Sequence, residues 1–310
     1  MRIAVTGASG YIGRTLINLL QERGVDTLAL VRGQSTDTVP GGKHVSIAQA
    51  DLMQLEGDVL RGCDAVIHLA GRAHTRNVHV DGIDQFDQVN RQMATAVARA
   101  AQRANVGRFV HVSTIGVHGN WSASDVLETS PLKGASPYAR SKIAAEKELL
   151  EVYRATPDCL YIVRPPMVYG PDCPGNFSRL IKLVKTGLPL PFASVRAVRS
   201  FIHVKNLVDF LANCGVGNIG ADTFVIADGS DFALPDLIKS ICTELHIVNR
   251  QVPFPPPMLR VIGACLGRRQ EFDSLTRPFR VDWTKARTHG WMPVLAMDAA
   301  LRQALQENSR

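Results

Sequence analysis

Short apolar runs rich in β-branched residues alternate with amphipathic stretches through the first half of the chain. Arg2–Thr6 reads as a strand and Tyr11–Arg23 as a helix. Thr27–Val31, Val45–Ala48 and Ala65–Leu69 read as three further strands, the last nearly all apolar and so buried on both faces. Asp84–Asn105, with alanine at many positions, predicts one long helix. Arg108–Ser113 is a fifth strand, Pro137–Arg154 a helix and Leu160–Arg164 a sixth strand. Strands alternating with helices imply an α/β protein: a doubly wound parallel sheet with helices on both faces.

After Pro165 the texture changes. Prolines and glycines crowd the stretch from Pro165 to Pro191. Helices are predicted at Phe177–Thr186, Lys205–Asn213 and Leu234–His246, with a short strand near Thr223–Ala227. The pattern divides the chain into residues 1–169, a dinucleotide-type domain, and residues 170–310, a smaller mixed α/β substrate lobe. Segments near 200–228 are expected to return to the first domain. No internal repeat or low-complexity segment is visible.

Composition removes several alternatives. Hydrophobic residues make up 45% and charged residues 20% of 310 positions, ordinary for a globular chain. The net charge of +7 is dispersed, with Arg268-Arg269 the longest basic run, so no nucleic-acid partner is expected and a phosphate-rich ligand explains the excess. The six cysteines form no CxxC pair, which suggests neither a metal site nor a disulfide framework. MRIAVTGASG lacks the layout of a signal peptide. Val252 to Leu266 is too short, and too broken by four prolines and Arg260, to span a bilayer. A cytoplasmic location without a membrane partner follows as the expectation.

Two motifs carry chemistry. GASGYIG places Gly7, Gly10 and Gly13 directly after the first strand, at the head of a helix. Glycine allows a tight turn and close approach to a pyrophosphate, and the helix N-terminus offers unpaired N–H groups and a positive dipole end. The spacing is GxxGxxG, and its place in a βαβ series gives it weight as the phosphate loop of a Rossmann-type domain. The second strand ends in Val31-Arg32, with no acid to grip a ribose diol, so Arg32 favours NADP, with NAD possible; it can equally stack on adenine or face solvent. Asp51 can accept from the adenine amino group, or cap the turn at Leu52.

Ser136-Pro137-Tyr138 opens a helix, and Lys142, four residues on, shares a face with Tyr138. A free phenol titrates at about 10. A neighbouring ammonium and a helix N-terminus are expected to lower that value and make Tyr138 an acid/base for a carbinol or ketone oxygen. Thr114, ending the fifth strand, can bond the same oxygen.

These residues resemble the extended short-chain dehydrogenase/reductase family, which includes sugar-nucleotide epimerases, dehydratases and 4-ketoreductases. The likeness covers almost the whole chain, through HLAG (His68–Gly71), STIGVHG (Ser113–Gly119), PYARSK (Pro137–Lys142), RPPMVYGP (Arg164–Pro171) and RSFIHVKNL (Arg199–Leu207). It implies a dinucleotide held by Gly7, Gly10, Tyr11, Ile12, Gly13, Arg32, Asp51, Leu52, Leu69, Ala70, Gly71, Tyr138, Lys142 and Pro165, and catalysis by Thr114, Tyr138 and Lys142. It also implies a nucleotide-diphosphate sugar contacted by Thr114, Asn176, Leu190, Phe192, Arg199 and Arg277. In that likeness Asn176, Arg199 and Arg277 meet the diphosphate, and Leu190–Phe192 lie along the base.

Departures narrow the reaction. Dehydratases of this family carry Asp-Glu after the catalytic threonine; here Ile115-Gly116 follow. Met167 stands where 4-epimerases carry asparagine, and His118 where they often carry tyrosine. The run from Asn176 through LIKLVKTGLPLPF most resembles bacterial 4-ketoreductases that complete deoxy-aminosugar nucleotides for surface polysaccharide. A 4-epimerase with tightly bound NAD is the alternative, and a non-catalytic dinucleotide sensor the third reading. Arg72, His74 and Arg76 form a basic loop that can touch ligand or simply face solvent. Asn90 reads as structural, and Trp283 and Trp291 as core of the C-terminal lobe. The helices at Asp84–Asn105 and Pro137–Arg154 could pair two chains in a homodimer.

Overall fold

The computed structural model describes residues 1–31, 39–73, 79–80 and 83–306. In chain order the elements are β1 (Arg2–Thr6), α1 (Tyr11–Glu22), β2 (Asp26–Val31), β3 (Val45–Gln49), β4 (Ala65–His68), β5 (His79–Val80), β6 (Ile83–Asp84), α2 (Met93–Arg103), β7 (Arg108–Val112), α3 (Pro137–Val152) and β8 (Leu160–Arg164). There follow β9 (Met167–Tyr169), α4 (Asn176–Lys185), β10 (Val198–His203), α5 (Val204–Val216), β11 (Thr223–Val225), β12 (Asp231–Ala233), α6 (Leu234–Glu244), α7 (Pro256–Cys265), α8 (Arg269–Thr276), α9 (Thr284–Thr288) and α10 (Met297–Gln306).

Seven strands form one parallel sheet in the order β11-β8-β7-β4-β1-β2-β3. Side chains alternate across it, as the period of a strand requires. Ile3 and Val5 of β1, Ala65 and Ile67 of β4, and Tyr161 and Val163 of β8 face a core completed by Leu16, Ile17 and Leu20 of α1 and Leu207, Phe210 and Leu211 of α5. Ala4, Val66, Leu160 and Ile162 face the opposite core, under Val97, Ala98 and Ala101 of α2 and Leu149 of α3. This is the doubly wound Rossmann-type architecture. The strand order reverses between β1 and β4, and ligands bind at such a switch point, outside the carboxyl ends of the strands.

A smaller three-stranded sheet, β12-β10-β9, and helices α4, α6 and α10 gather around a separate cluster that includes Phe177, Ile181, Leu237, Ile241, Leu301 and Leu305. The chain returns to the large sheet in between, for α5 packs on α1 and β11 pairs with β8.

The long helix expected over Asp84–Asn105 is present as one uninterrupted run over 85–103, in which Asp87–Gln92 winds as a wider π-helix before α2; Ile83–Asp84 instead pairs with His79–Val80. The Asp84 carboxylate accepts from the Phe86 and Asp87 N–H groups at 2.8 and 3.2 Å, which caps the helix there. One expectation needs correction: Trp291 is not part of the C-terminal lobe's core. It is 3% exposed within the α1/α5 cluster, edge-on to Phe210, and its Nε1–H donates to Asp209 at 2.8 Å. Trp283 packs edge-on against it.

Candidate active site

The glycine loop lies at the switch point. Gly7 has φ +67°, and a Cβ there would stand 2.8 Å from the Ala70 nitrogen, so the loops after β1 and β4 touch through a position that only glycine fits. A Cβ on Gly13 would lie 2.2 Å from the Gly7 carbonyl oxygen, so glycine also lets α1 start flush against the turn. Gly10 caps α1 without any side-chain bond, and the first turn holds no acid. An uncapped, positively polarised helix N-terminus beside a bare backbone turn fits a dinucleotide pyrophosphate. Leu69, Ala70 and Gly71 form the facing wall, and Gly71 is close enough that a Cβ would meet Lys142 Nζ at 3.5 Å.

The remaining cofactor positions divide. Asp51 accepts from the Met53 N–H at 2.9 Å, so its carboxylate already caps a turn, and Leu52 is buried in the core under α2. Pro165 presents its carbonyl to the Ile115 N–H at 2.9 Å, which ties β8 to the segment after Thr114. Arg32, on which the NADP expectation rests, lies outside the described residues, as do His74 and Arg76. Arg72 bonds Gln85 through its guanidinium, and its backbone N–H and carbonyl are both held by the buried Asn90 amide, at 2.8 and 3.0 Å. The same amide donates to Ser141 on α3. Asn90 is therefore structural, as the sequence suggests, and what it fixes is the loop that follows β4.

Ser136 caps α3 through the Ala139 N–H at 3.1 Å, with Pro137 in its first turn. That start places Tyr138 and Lys142 on the face towards Thr114 and the glycine loop. Tyr138 faces the Thr114 hydroxyl, which itself accepts from the Gly116 N–H at 3.1 Å, and packs against Phe86. The expected lowering of its pKa is not found: burial pushes the phenol up to about 12, against a smaller opposing effect of Thr114. Lys142 is 4% exposed, and its ammonium donates to the Val112 carbonyl at 2.8 Å. Burial draws Lys142 down to about 8, and Glu146 opposes that shift. The two side chains share a face, but each charged form is dominated by its own desolvation.

Behind them lies a network that sequence reasoning left unassigned. Glu146, 1% exposed, pairs with Arg164 through contacts of 3.1 and 2.6 Å and accepts from the Ser113 hydroxyl. Arg164 also donates to the Glu128 carbonyl at 2.9 Å and to His118 Nε2 at 3.2 Å. His118 Nε2 thereby accepts, and burial followed by the Arg164 charge lowers the imidazole's pKa. The network joins α3, the end of β8 and the residue before Thr114. Its signal was available: Glu146 falls four residues after Lys142, on the same helical face. Beside Lys142 are two buried imidazoles, His68 and His111, stacked with ring centroids 5.7 Å apart and both held neutral by burial.

The predicted substrate residues are spread along the smaller lobe and its border. Arg199, on β10, is partly buried; it donates to the Asn120 and Arg277 carbonyls at 3.1 and 3.0 Å and lies over the Phe279 ring. Among the described residues no carboxylate pairs with it, and burial pulls it down to about 10. Arg277 pairs with Asp273 at 3.2 Å and stacks over Trp121 at 4.4 Å. The two arginines thus meet on the loop that begins at Thr114. Asn176 is exposed at the first turn of α4, behind Gly175. Leu190 and Phe192 bury their side chains in the lobe core, so any surface they offer a base is backbone.

The model of the NAD dependent epimerase/dehydratase family matches residues 3–213. A UDP-glucose 4-epimerase of Vibrio cholerae is 28% identical over 332 aligned positions, covering 99% of this chain and 97% of that protein. A 4-hydroxy-2-methyl-3-oxo-4-farnesyl-3,4-dihydroquinoline-1-oxide ketoreductase of Stigmatella aurantiaca is 27% identical over 86% of this chain and 80% of its own length. Among solved structures, a UDP-glucuronic acid 4-epimerase from Bacillus cereus in complex with NAD superposes with a TM-score of 0.79 at 18% identity, covering 100% of this chain and 99% of that one.

Proposed function

The chain belongs to the NAD dependent epimerase/dehydratase family, an extended short-chain dehydrogenase/reductase, and on that premise we propose that it reduces the 4-keto group of a nucleoside-diphosphate hexose, at a late step of surface polysaccharide synthesis. The observation that carries the reading is Arg199. A partly buried guanidinium without a carboxylate partner, hydrogen-bonded to the same loop that carries Thr114, supports a bound diphosphate at a fixed reach from Tyr138. A guanidinium fork suits phosphate oxygens, and burial strengthens the pairing.

Gly7, Gly10, Tyr11, Ile12 and Gly13 would hold the dinucleotide pyrophosphate, and Leu69, Ala70 and Gly71 its other side. When bound, the cofactor supplies or accepts a hydride. The protein's part is proton chemistry. Thr114 and Tyr138 orient the sugar oxygen, and Tyr138, whose phenol is protonated at neutral pH, donates its proton to that oxygen as the ketone becomes a carbinol. Lys142, one turn further along α3, carries the positive charge on that same face. Thr114 is followed by Ile115-Gly116, which leaves water elimination without an acid pair and argues against a dehydratase.

The Vibrio cholerae relative favours a second reading, a 4-epimerase, because its likeness runs the full length of the chain. Purified protein separates the two. A reductase consumes added NADPH or NADH with a 4-keto sugar nucleotide and is isolated largely without cofactor, whereas an epimerase carries tightly bound NAD and interconverts UDP-sugars with no net consumption. Calorimetric titration tests the diphosphate site: Arg199→Ala should weaken UDP or TDP binding by more than about tenfold, or 1.4 kcal/mol, and leave dinucleotide affinity unchanged. Parent-like binding of both nucleoside diphosphates would sink the nucleotide-sugar reading.

A further inference from the structure

We propose that the helix pair α7–α8 docks the protein on an anionic membrane surface, with α7 lying in the interface. Helix α7 carries two apolar stripes, not one. The inward stripe is Leu259 and Gly263, both buried, and α8 sits so close that a Cβ on Gly263 would fall 2.5 Å from the Phe272 ring. The outward stripe is Met258, Val261, Ile262, Cys265 and Leu266. This spacing of i, i+3, i+4, i+7 and i+8 makes one continuous helix face. Met258, Val261, Ile262 and Leu266 are 53%, 63%, 41% and 64% exposed, and Cys265 is exposed as well. Isolated exposed apolar side chains are normal on any protein, but a contiguous face of them marks an interaction surface.

Charge selects the occupant. Arg268 and Arg269, both exposed, follow the stripe at the turn into α8, where Glu271 is the nearest acid in sequence; Arg269 only grazes Asp273, at 3.9 Å. A second copy of the chain packed two-fold on this face would bring these arginines against their own equivalents. A single ten-residue helix also offers far less than the roughly 800 Å² per partner of a stable dimer. An anionic phospholipid surface matches both properties, with acyl chains for the stripe and headgroups for the arginines. The helix is too short to cross a bilayer, and no helix among the described residues is long and apolar enough to do so. The sequence-based expectation of no membrane partner excluded spanning, and surface docking is a different mode. Helix α8 leads directly into Arg277, so docking would hold the arginine pair at the interface.

Vesicle sedimentation with the full chain tests this. The parent should pellet with phosphatidylglycerol-containing vesicles at low salt, release at high salt, and remain in the supernatant with pure phosphatidylcholine. Val261→Ser with Ile262→Ser should abolish pelleting. Arg268→Glu with Arg269→Glu should reduce it by more than about tenfold, since each arginine near such a surface is worth about fivefold. Thermal melts and dinucleotide binding like the parent's would show both variants folded. Absence of pelleting by the parent, or parent-like pelleting by folded variants, overturns the proposal. So does analytical ultracentrifugation in which the parent dimerises through this face and fails to bind vesicles.

Discussion

Tyr138 and Lys142 stand one helical turn apart, and burial moves their titrations apart, to about 12 and about 8. In this environment the phenol is a proton donor at neutral pH, which suits reduction of a ketone. Tyr138→Phe should lower turnover by about 10²–10⁴-fold with dinucleotide and nucleotide affinities retained, checked by steady-state rates beside titrations of each ligand. Near-parent activity would remove Tyr138 from the chemistry. Lys142 makes a separate, thermodynamic prediction. Its folded pKa of about 8 lies below the ordinary 10.5, so between these values the unfolded chain binds more protons than the folded one, and stability rises with pH. The penalty, about 3 kcal/mol, is fully present below pH 8 and gone above 10.5. Lys142→Met removes this dependence. The stability of that variant relative to the parent should therefore be greatest near pH 7 and fall steadily towards pH 10, as read by urea melts across pH. A constant difference would show that the ammonium is not desolvated.

At the scale of elements, the legible parts were those whose signal is local. Gly7 and Gly13 announce a turn that admits no side chain, Ser136-Pro137 a helix start, and the alternating runs of the first half a parallel sheet; each is written within a few residues. The phenol's pKa was not legible, because it depends on what packs against Tyr138 from other elements. The π-turn over Asp87–Gln92 was hidden for a similar reason: Asn90 is drawn inward by a loop 18 residues earlier. Strands β9 and β12, three residues each, and the longer β10 also escaped, since they pair only across long separations. Glu146 and Arg164 were in plain view as residues, yet their pairing joins α3 to β8. Removing one partner of such a buried pair leaves the other charge unpaired. Glu146→Ala should cost about 3–5 kcal/mol in urea denaturation. Replacing both, as Glu146→Leu with Arg164→Met, should recover much of that stability but not full activity, since Ser113 and the Thr114 segment lose their anchor. Equal stability of the two variants would mean that the ion pair is not what holds α3 to β8.

At the scale of the whole molecule, one carboxylate joins several of the segments that link the large sheet to the smaller lobe. Asp228 follows β11 and faces back into the lobe, 6% exposed. It accepts from the Tyr169 hydroxyl at 2.8 Å, from the His203 N–H at 2.9 and 3.0 Å, and from the Asn206 amide at 2.7 Å. Asn206 in turn holds Leu295, accepting from its N–H at 2.8 Å and donating to its carbonyl at 3.0 Å, so the segment leading into α10 joins the same knot. Four segments therefore converge here: β9, the start of α5, the end of β11 and the C-terminal segment. Burial raises the pKa of Asp228, opposed by the three donors. Asp228→Ala would leave the Asn206 amide, the His203 N–H and the Tyr169 hydroxyl without their shared acceptor. Each buried polar group so stranded costs about 1–3 kcal/mol, which predicts a loss of at least about 3 kcal/mol. Asp228→Asn keeps one acceptor oxygen and offers an amide that the Tyr169 hydroxyl can accept from, so it should lose less than half as much. If the knot couples the two cores, Asp228→Ala should also weaken binding of UDP or TDP to the Arg199 site without touching any residue of that site. The comparison is urea denaturation of both variants with calorimetric titration of UDP. Equal stability of Asp228→Ala and the parent would mean that the lobes are held by their apolar contacts alone.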